Sequence, residues 1–219
     1  VELVERIDYD FEGSFGKPTV FHPIRARVSD DLIKAFLARH VEKTIVIALG
    51  EGLETQLWRL GFCNRNWYSV DLPEAIEVRK RLLPKHPDAI QIECSALDSE
   101  WMDAAPTGTR PFISAAGLLM YFTEAEVRDL LERIARRFPG AEIFFDTITP
   151  HVSRRTQRGL QITKSYIAPP MPWGITVDDL PAFLASIPGI EVMSIQSYAD
   201  PFSKRTRLYK LLSHVGPLR

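Results

Sequence analysis

Two glycines and one acid carry the clearest chemistry in this chain of 219 residues. Ile45-Val-Ile-Ala-Leu49 is an apolar run of strand length, Gly50-Glu51-Gly52 follows at once, and Thr55, Leu57, Trp58 and Leu60 then recur with helical spacing. Glycines at a strand-to-helix turn let a ligand approach the backbone, and the first turn of a helix presents unpaired N–H groups. Asp71 ends the next apolar run, Trp67-Tyr-Ser-Val-Asp71, 21 residues after Gly50. An acid so placed can accept both hydroxyls of a ribose. Thr55 stands where a dinucleotide turn has its third small residue, which favours a ligand with one ribose and no phosphate over a pyrophosphate. A plain tight turn with an ordinary strand-end acid is the competing reading.

Further along, Tyr121 and His151 follow the fourth and fifth strand runs, at the rim where a ligand over such a sheet lies. They are the candidates for acting on a second substrate. Met171 and Trp173, in the proline-rich run Ala168-Pro-Pro-Met-Pro-Trp-Gly174, can wall an apolar or aromatic molecule, and Arg154 or Arg155 can meet an acidic one. Each has a plainer reading: Tyr121 as a half-buried packing residue, His151 as a solvated loop histidine, Arg154 as part of a solvated cationic face.

The elements that must position these residues alternate. Short apolar runs at Thr44–Leu49, Trp67–Val70, Ala89–Ile92, Pro111–Ala115 and Ala141–Phe145 are each followed by a helical pattern, as βαβ units require. Thr123 with Glu126 fits a capping box, and Val127, Leu130, Leu131, Ile134 and Phe138 recur on one face of the helix it opens. Ser29–His40 reads as an amphipathic helix covering one edge of the sheet, after an irregular basic segment with Lys17, Arg25 and Arg27. Thr149–Ile175 breaks the rhythm and reads as a lid. A last helix over Val177–Ile187 precedes two runs, Ile190–Ser197 and Thr206–Leu212, whose economical pairing is antiparallel. The expectation is one α/β domain: a seven-stranded, mostly parallel sheet with one antiparallel strand and helices on both faces, residues 1–43 forming an N-terminal cap.

Composition excludes several classes. With 27 Lys+Arg against 28 Asp+Glu there is no net basic field for nucleic acid or anionic membrane. The longest apolar candidate, Ile113–Phe122, is far short of the roughly 18–20 residues a bilayer demands. Cys63 and Cys94 lie far apart, and His22, His40, His86 and His214 are dispersed, so no metal site is expected. Sparse cysteine and no charged-then-apolar leader point to the cytoplasm.

Several segments together resemble the leucine carboxyl methyltransferase family, which includes bacterial O-methyltransferases of the tetracenomycin polyketide type. Ala26-Arg-Val28, Leu49-Gly-Glu-Gly-Leu-Glu-Thr55 with Trp58-Arg-Leu60, Val70-Asp-Leu-Pro73, Gly117-Leu-Leu-Met-Tyr121 and Phe145-Asp-Thr147 occur in the family's order and at its approximate spacings. The resemblance implies a class I, Rossmann-like methyltransferase fold that binds S-adenosylmethionine and releases S-adenosylhomocysteine. By matching position, Arg27 would hold the methionine carboxylate, Gly50 and Gly52 would underlie methionine and ribose, Asp71 would take the ribose hydroxyls, and Leu97 would lie against adenine. Glu51, Leu72, Ser95, Ala96 and Ala116 complete the implied cofactor set. Ala48, Ala96 and Ala116 stand where the family often has acids, so three polar contacts are absent unless Glu51, Ser95 or Asp98 replaces them. The activity implied is O-methylation of a carboxyl or phenolic oxygen on a small molecule of secondary metabolism. The alternative is a catalytically weak or inactive relative that binds the cofactor or a protein partner.

Overall fold

The computed structural model describes residues 2–17, 19–40, 43–61 and 66–198. In chain order the elements are α1 (Glu2–Glu5), α2 (Phe11–Phe15), α3 (Phe21–Arg39), β1 (Thr44–Leu49), α4 (Gln56–Arg59), β2 (Trp67–Asp71), α5 (Pro73–Leu82), β3 (Ala89–Glu93), α6 (Glu100–Ala104), β4 (Arg110–Ala115), a short 3-10 turn Leu119–Tyr121, α7 (Glu124–Arg137), β5 (Glu142–Phe145), α8 (Pro150–Gln157) and α9 (Leu180–Ala185). Two compact units divide them. One holds the described residues up to Asp10, Ala26–Leu118 and Ile134–Phe145; the other holds Phe11–Arg25, Leu119–Arg133 and the described residues from Asp146 onward.

The first unit contains the sheet. Its five strands are all parallel, in the order β3-β2-β1-β4-β5. The chain winds outward from β1 to β3, then crosses back to β4, so the order reverses between β1 and β4. In open α/β sheets a ligand crevice lies beyond the carboxyl ends of the strands at such a reversal. Every residue of β1 is buried, as a strand covered on both faces must be. Ile33 and Phe36 of α3 pack with Val46 and Ala48 of β1, Leu57 of α4, Trp67 of β2 and Phe112 of β4 in one apolar cluster.

The five parallel strands fall where the apolar runs place them, within a residue or so at each end. The expected sixth, Ile190–Ser197, is not a strand among the described residues, and its Val192 and Met193 are exposed. Thr206–Leu212, its expected partner, lies outside the described residues.

Two helices also differ from expectation. Helix α3 begins at Phe21 rather than Ser29, so Arg25 and Arg27 are helical. Pro23 is the reason the pattern misleads, because a proline breaks a helix interior but is tolerated in the first turn. The same helix covers the central strands rather than an edge. Helix α9 starts at Leu180 with Pro181 behind it, and Thr176–Asp179 instead makes a turn in which Thr176 Oγ1 donates to Asp179 Oδ2 at 2.6 Å.

The second unit is tied together by polar contacts. In the Thr149–Ile175 segment, α8 begins at Pro150 with Thr149 as its cap, accepting from the Val152 N–H. The Ile175 N–H donates to the Ile148 carbonyl at 2.9 Å, closing the segment at its base. Ser153 Oγ donates to the Pro172 carbonyl at 3.0 Å, and the Met171 N–H donates to Thr156 Oγ1 at 3.0 Å. Gly174 is required by close approach, since a Cβ there would meet the Thr149 carbonyl oxygen at 2.8 Å. Thr163 Oγ1 donates to the Ser14 carbonyl, and Tyr166 meets Phe15 edge-on at 4.7 Å between centroids, joining the segment to α2.

Candidate cofactor and acceptor sites

The glycine turn is held by an acid on one side and an arginine on the other. Gly50 and Gly52 both adopt left-handed backbone, with φ of 61° and 52°. That conformation strains any residue with a Cβ. A Cβ on Gly50 would also meet Leu118 Cδ1 at 2.7 Å, whereas one on Gly52 would meet nothing within 4 Å. The open face of the turn is therefore at Gly52. Asp71, at the end of β2, receives the Gly52 N–H on Oδ2 at 2.7 Å and the Leu72 N–H on Oδ1 at 2.8 Å. A carboxylate has about four acceptor positions. Two backbone bonds orient this one and leave two for a vicinal diol. Leu72, beside it, is an exposed apolar residue, a surface suited to a flat ring.

Arg79 is the functional residue that sequence reasoning missed. Only 1% exposed, it donates from Nη1 to the carbonyls of Gly52 and Glu54, and its Nη2 lies 3.0 Å from Glu51 Oε2. Trp67 Nε1 donates to the other Glu51 oxygen at 3.2 Å. Burial pushes the Glu51 carboxyl above its ordinary range; Arg79 is the main opposing influence, followed by hydrogen bonds from Ser69 and Trp67. Glu51, expected to face the cofactor, thus turns its side chain inward and anchors the arginine that clamps the turn. The signal was present: Arg79 falls three residues after Ile76 and four before Leu83, both buried, which is the inward face of a helix.

A second network fixes α3 to the turn. Arg59 grips Asp30 with two bonds, Nε to Oδ2 at 2.6 Å and Nη2 to Oδ1 at 3.0 Å, and Gln56 Nε2 donates to Asp30 Oδ1 and Ser29 Oγ. Such paired bonds specify orientation as well as attraction. Arg27, nearly one turn before Asp30 on α3, donates from Nε to Asp31 Oδ2 at 2.9 Å and is largely exposed.

After β3 the loop is self-bonded. The Ser95 N–H donates to Asp98 Oδ2 at 2.9 Å, the Leu97 N–H to Ser95 Oγ at 3.1 Å, and Trp101 Nε1 to the Ala96 carbonyl at 3.0 Å. Leu97 and Ala116 are both partly exposed, in the loops that follow β3 and β4. Ala48 is buried in the apolar cluster against Ile33 and Phe36, so in this chain that position belongs to the core.

The acceptor-side candidates all lie in the second unit. Tyr121 is 41% exposed. Burial raises its hydroxyl above the ordinary tyrosine range, Tyr166 and Asp146 add to this, and Arg25 opposes it. His151 is exposed on the first turn of α8 rather than in a loop, and Arg154 is exposed on the same helix. Met171 is partly buried. Trp173 is 2% exposed and packs against Phe183 at 5.6 Å between centroids, with its backbone N–H on the Met120 carbonyl. It is an interior anchor of its unit. Among the described residues no group of three or more His, Cys, Asp and Glu is placed to hold a metal, and no helix is long and apolar enough to cross a membrane.

Comparison with known proteins agrees with this arrangement. The plantazolicin methyltransferase BamL, solved with a triazolic desmethylPZN analog and SAH, superimposes with a TM-score of 0.57 over 89% of this chain and 74% of that one, at 13% identity. Human N-acetylserotonin methyltransferase, solved with SAM, gives 0.51 over 90% and 61%, at 14% identity. These likenesses show the fold, the class I methyltransferase α/β fold. In sequence, the tetracenomycin polyketide synthesis O-methyltransferase TcmP of Streptomyces glaucescens is 33% identical over 156 residues, which is 70% of this chain and 57% of that protein. The chain therefore spans little more than half the length of this relative. The family model for leucine carboxyl methyltransferase matches residues 14–135, and with more than half its length so matched the chain belongs to the leucine carboxyl methyltransferase family.

Proposed function

We propose that the chain is an S-adenosylmethionine-dependent O-methyltransferase acting on a carboxyl or phenolic oxygen of a small molecule in polyketide metabolism. The observation that carries the reading is the Gly52–Asp71 pair: a glycine with open space on its Cβ side, bonded to a carboxylate that keeps two acceptor positions. Family membership and the relationship to TcmP support the reaction class.

When bound, the cofactor supplies an electrophilic methyl group on a sulfonium. The chain's own residues bind and orient. Asp71 accepts the ribose hydroxyls, Gly50 and Gly52 let the backbone lie close, and Leu72, Ala96 and Leu97 border the adenine, with Ser95 beside them. Arg27 takes the methionine carboxylate, exchanging part of its contact with Asp31. Ala116 lies after β4 at the strand-order reversal. Glu51 acts through Arg79 as a positioning residue. Thr149–Ile175 serves as a lid that keeps water from the acceptor, which matters because displacement at the methyl needs alignment and a dry site more than covalent machinery. Tyr121, its hydroxyl raised, keeps its proton near neutral pH and donates a hydrogen bond to the acceptor. His151, Arg154 and Met171 serve the acceptor side, and the buried Trp173, expected there too, anchors the segment that carries Met171.

Incubation of the purified chain with isotopically labelled methyl donor and a panel of aromatic carboxylic acids and phenols tests this by mass spectrometry. A labelled ester or ether is expected. Tight donor binding without labelled product from any acceptor would instead leave a cofactor-binding relative without activity.

A further inference from the structure

Charge is concentrated under the glycine turn. Arg79 donates from Nη1 to the Gly52 carbonyl at 2.5 Å and to the Glu54 carbonyl at 3.1 Å, while the Gly52 N–H donates to Asp71 Oδ2 at 2.7 Å. Gly52 is therefore held between a cation and an anion. Glu51 Oε2 lies 3.0 Å from Arg79 Nη2, with side-chain exposures of 3% and 1%, and among the described residues Glu51 is the one carboxylate paired with Arg79. The link is one of charge more than of hydrogen bonding, since Glu51 Oε2 and Arg79 Nε are both buried without a hydrogen-bond partner. Arginine keeps its proton in proteins, and a buried guanidinium without a counter-charge is strongly unfavourable, so Glu51 is held as the carboxylate. Glu54 is half-exposed and pairs outward with Arg59. The charges in direct contact with the turn are then two negative, Glu51 and Asp71, and one positive, Arg79.

We propose that Glu51, by cancelling the charge of Arg79, gives the turn its preference for the positively charged methyl donor over the neutral product. The inference rests on the methyltransferase reading and deepens it. S-adenosylmethionine and S-adenosylhomocysteine share ribose, adenine and amino-acid groups and differ by one methyl group and one positive charge. Contacts common to both cancel in the ratio of their affinities. With Glu51 ionised, the charges contacting the turn sum to minus one and favour a cation there. With a neutral side chain in its place, Arg79 stands uncompensated beside the Gly52 carbonyl. A buried charge is little screened, so it opposes the sulfonium and leaves a neutral thioether almost untouched. Arg79 is needed to hold the two carbonyls: the arginine shapes the turn, and the glutamate removes the charge that the shaping brings.

Calorimetric titrations of S-adenosylmethionine and S-adenosylhomocysteine read this as the ratio of two affinities, with no turnover required. Glu51→Gln is expected to lower the donor-to-product ratio about tenfold relative to wild type, the effect of one charge removed at short range in a shielded site. Glu51→Asp, which keeps the charge on a shorter stem, is expected to retain the wild-type ratio even where both affinities fall. The double variant Glu51→Gln with Arg79→Met, which removes both charges, is expected to restore it. An unchanged ratio in Glu51→Gln, or a ratio lowered as far in Glu51→Asp or in the double variant, would overturn the proposal and leave Glu51 a structural residue only. Where Glu51→Gln does not fold, the other two variants decide in the same way. Binding of neither ligand by wild type would instead overturn the methyltransferase reading.

Discussion

The two units are built by different means. In the first, the candidate site is a property of the backbone: a positive φ at Gly50 and Gly52, two N–H groups on Asp71, and a strand order that reverses between β1 and β4. In the second, residues far apart in sequence are brought together by side chains. Arg25 meets Asp146 across 121 positions, and Thr163 reaches back to Ser14 across 149. A cofactor shared by many enzymes can be held by a common geometry of main chain, whereas an acceptor particular to one enzyme is recognised by side chains free to vary. The comparison teaches that a turn built from backbone geometry is legible from spacing, whereas contacts between side chains distant in sequence are not.

Arg79→Ala breaks the first unit most severely. It removes the partner of a buried carboxylate, a change that costs about 3–5 kcal/mol, to be read by denaturant titration. Glu51, without its counter-charge, holds its proton to higher pH in the folded chain than in the unfolded one. The folded state then binds more protons, so stability falls as pH rises through and above the ordinary carboxylate range. The variant's deficit should therefore be larger at neutral than at acid pH; a deficit that shrinks on raising the pH would contradict the clamp.

Gly50→Ala meets both left-handed strain and Leu118, and is expected to cost about 1–3 kcal/mol. Adding Leu118→Ala should return the steric part and leave the backbone part. Full rescue by the second change would show that conformation at Gly50 is unimportant.

Much of this was foreseeable and some was not. The five strands and α7 follow from periodicity, because a buried strand and a one-faced helix must carry those patterns whatever surrounds them. Thr123 and Glu126 form the expected reciprocal cap, with the Thr123 N–H on Glu126 Oε2 at 2.7 Å and the Glu126 N–H on Thr123 Oγ1 at 3.3 Å. What failed depended on context. Pro23 and Pro181 each lie in a first turn, where the missing N–H is not needed, so α3 starts earlier and α9 later than periodicity alone places them. Ile190–Ser197 has strand-like composition yet forms no strand among the described residues. The pairings of Arg79 with Glu51 and of Asp30 with Arg59 join residues distant in sequence, which spacing alone does not reveal.

The second unit is sharpened by Gly174→Ala, which forces a Cβ against the Thr149 carbonyl and Ser153 Cβ. About 1–3 kcal/mol of overpacking is expected there, appearing as faster proteolysis within residues 149–175 while donor binding by the first unit is retained. Equal loss in both readouts would mean that the units do not respond separately.

Glu126→Gln should have the smallest effect. Its carboxyl is held below the ordinary range, first by the Thr123 backbone N–H and then by the Thr123 hydroxyl. A lowered folded value contributes stability above the ordinary carboxylate range and loses it as pH falls through the lowered value. Thermal midpoints of variant and wild type should therefore differ slightly at neutral pH and converge in acid.

Calorimetric titration of S-adenosylmethionine into wild type and Asp71→Ala tests the central claim most directly. Hydrogen bonds to a charged group contribute roughly 1.5–3 kcal/mol each. Without the carboxylate the ribose hydroxyls have no acceptor at this position, so the substitution should weaken binding about tenfold or more. Undiminished affinity in folded Asp71→Ala, or no binding by wild type, would contradict the account.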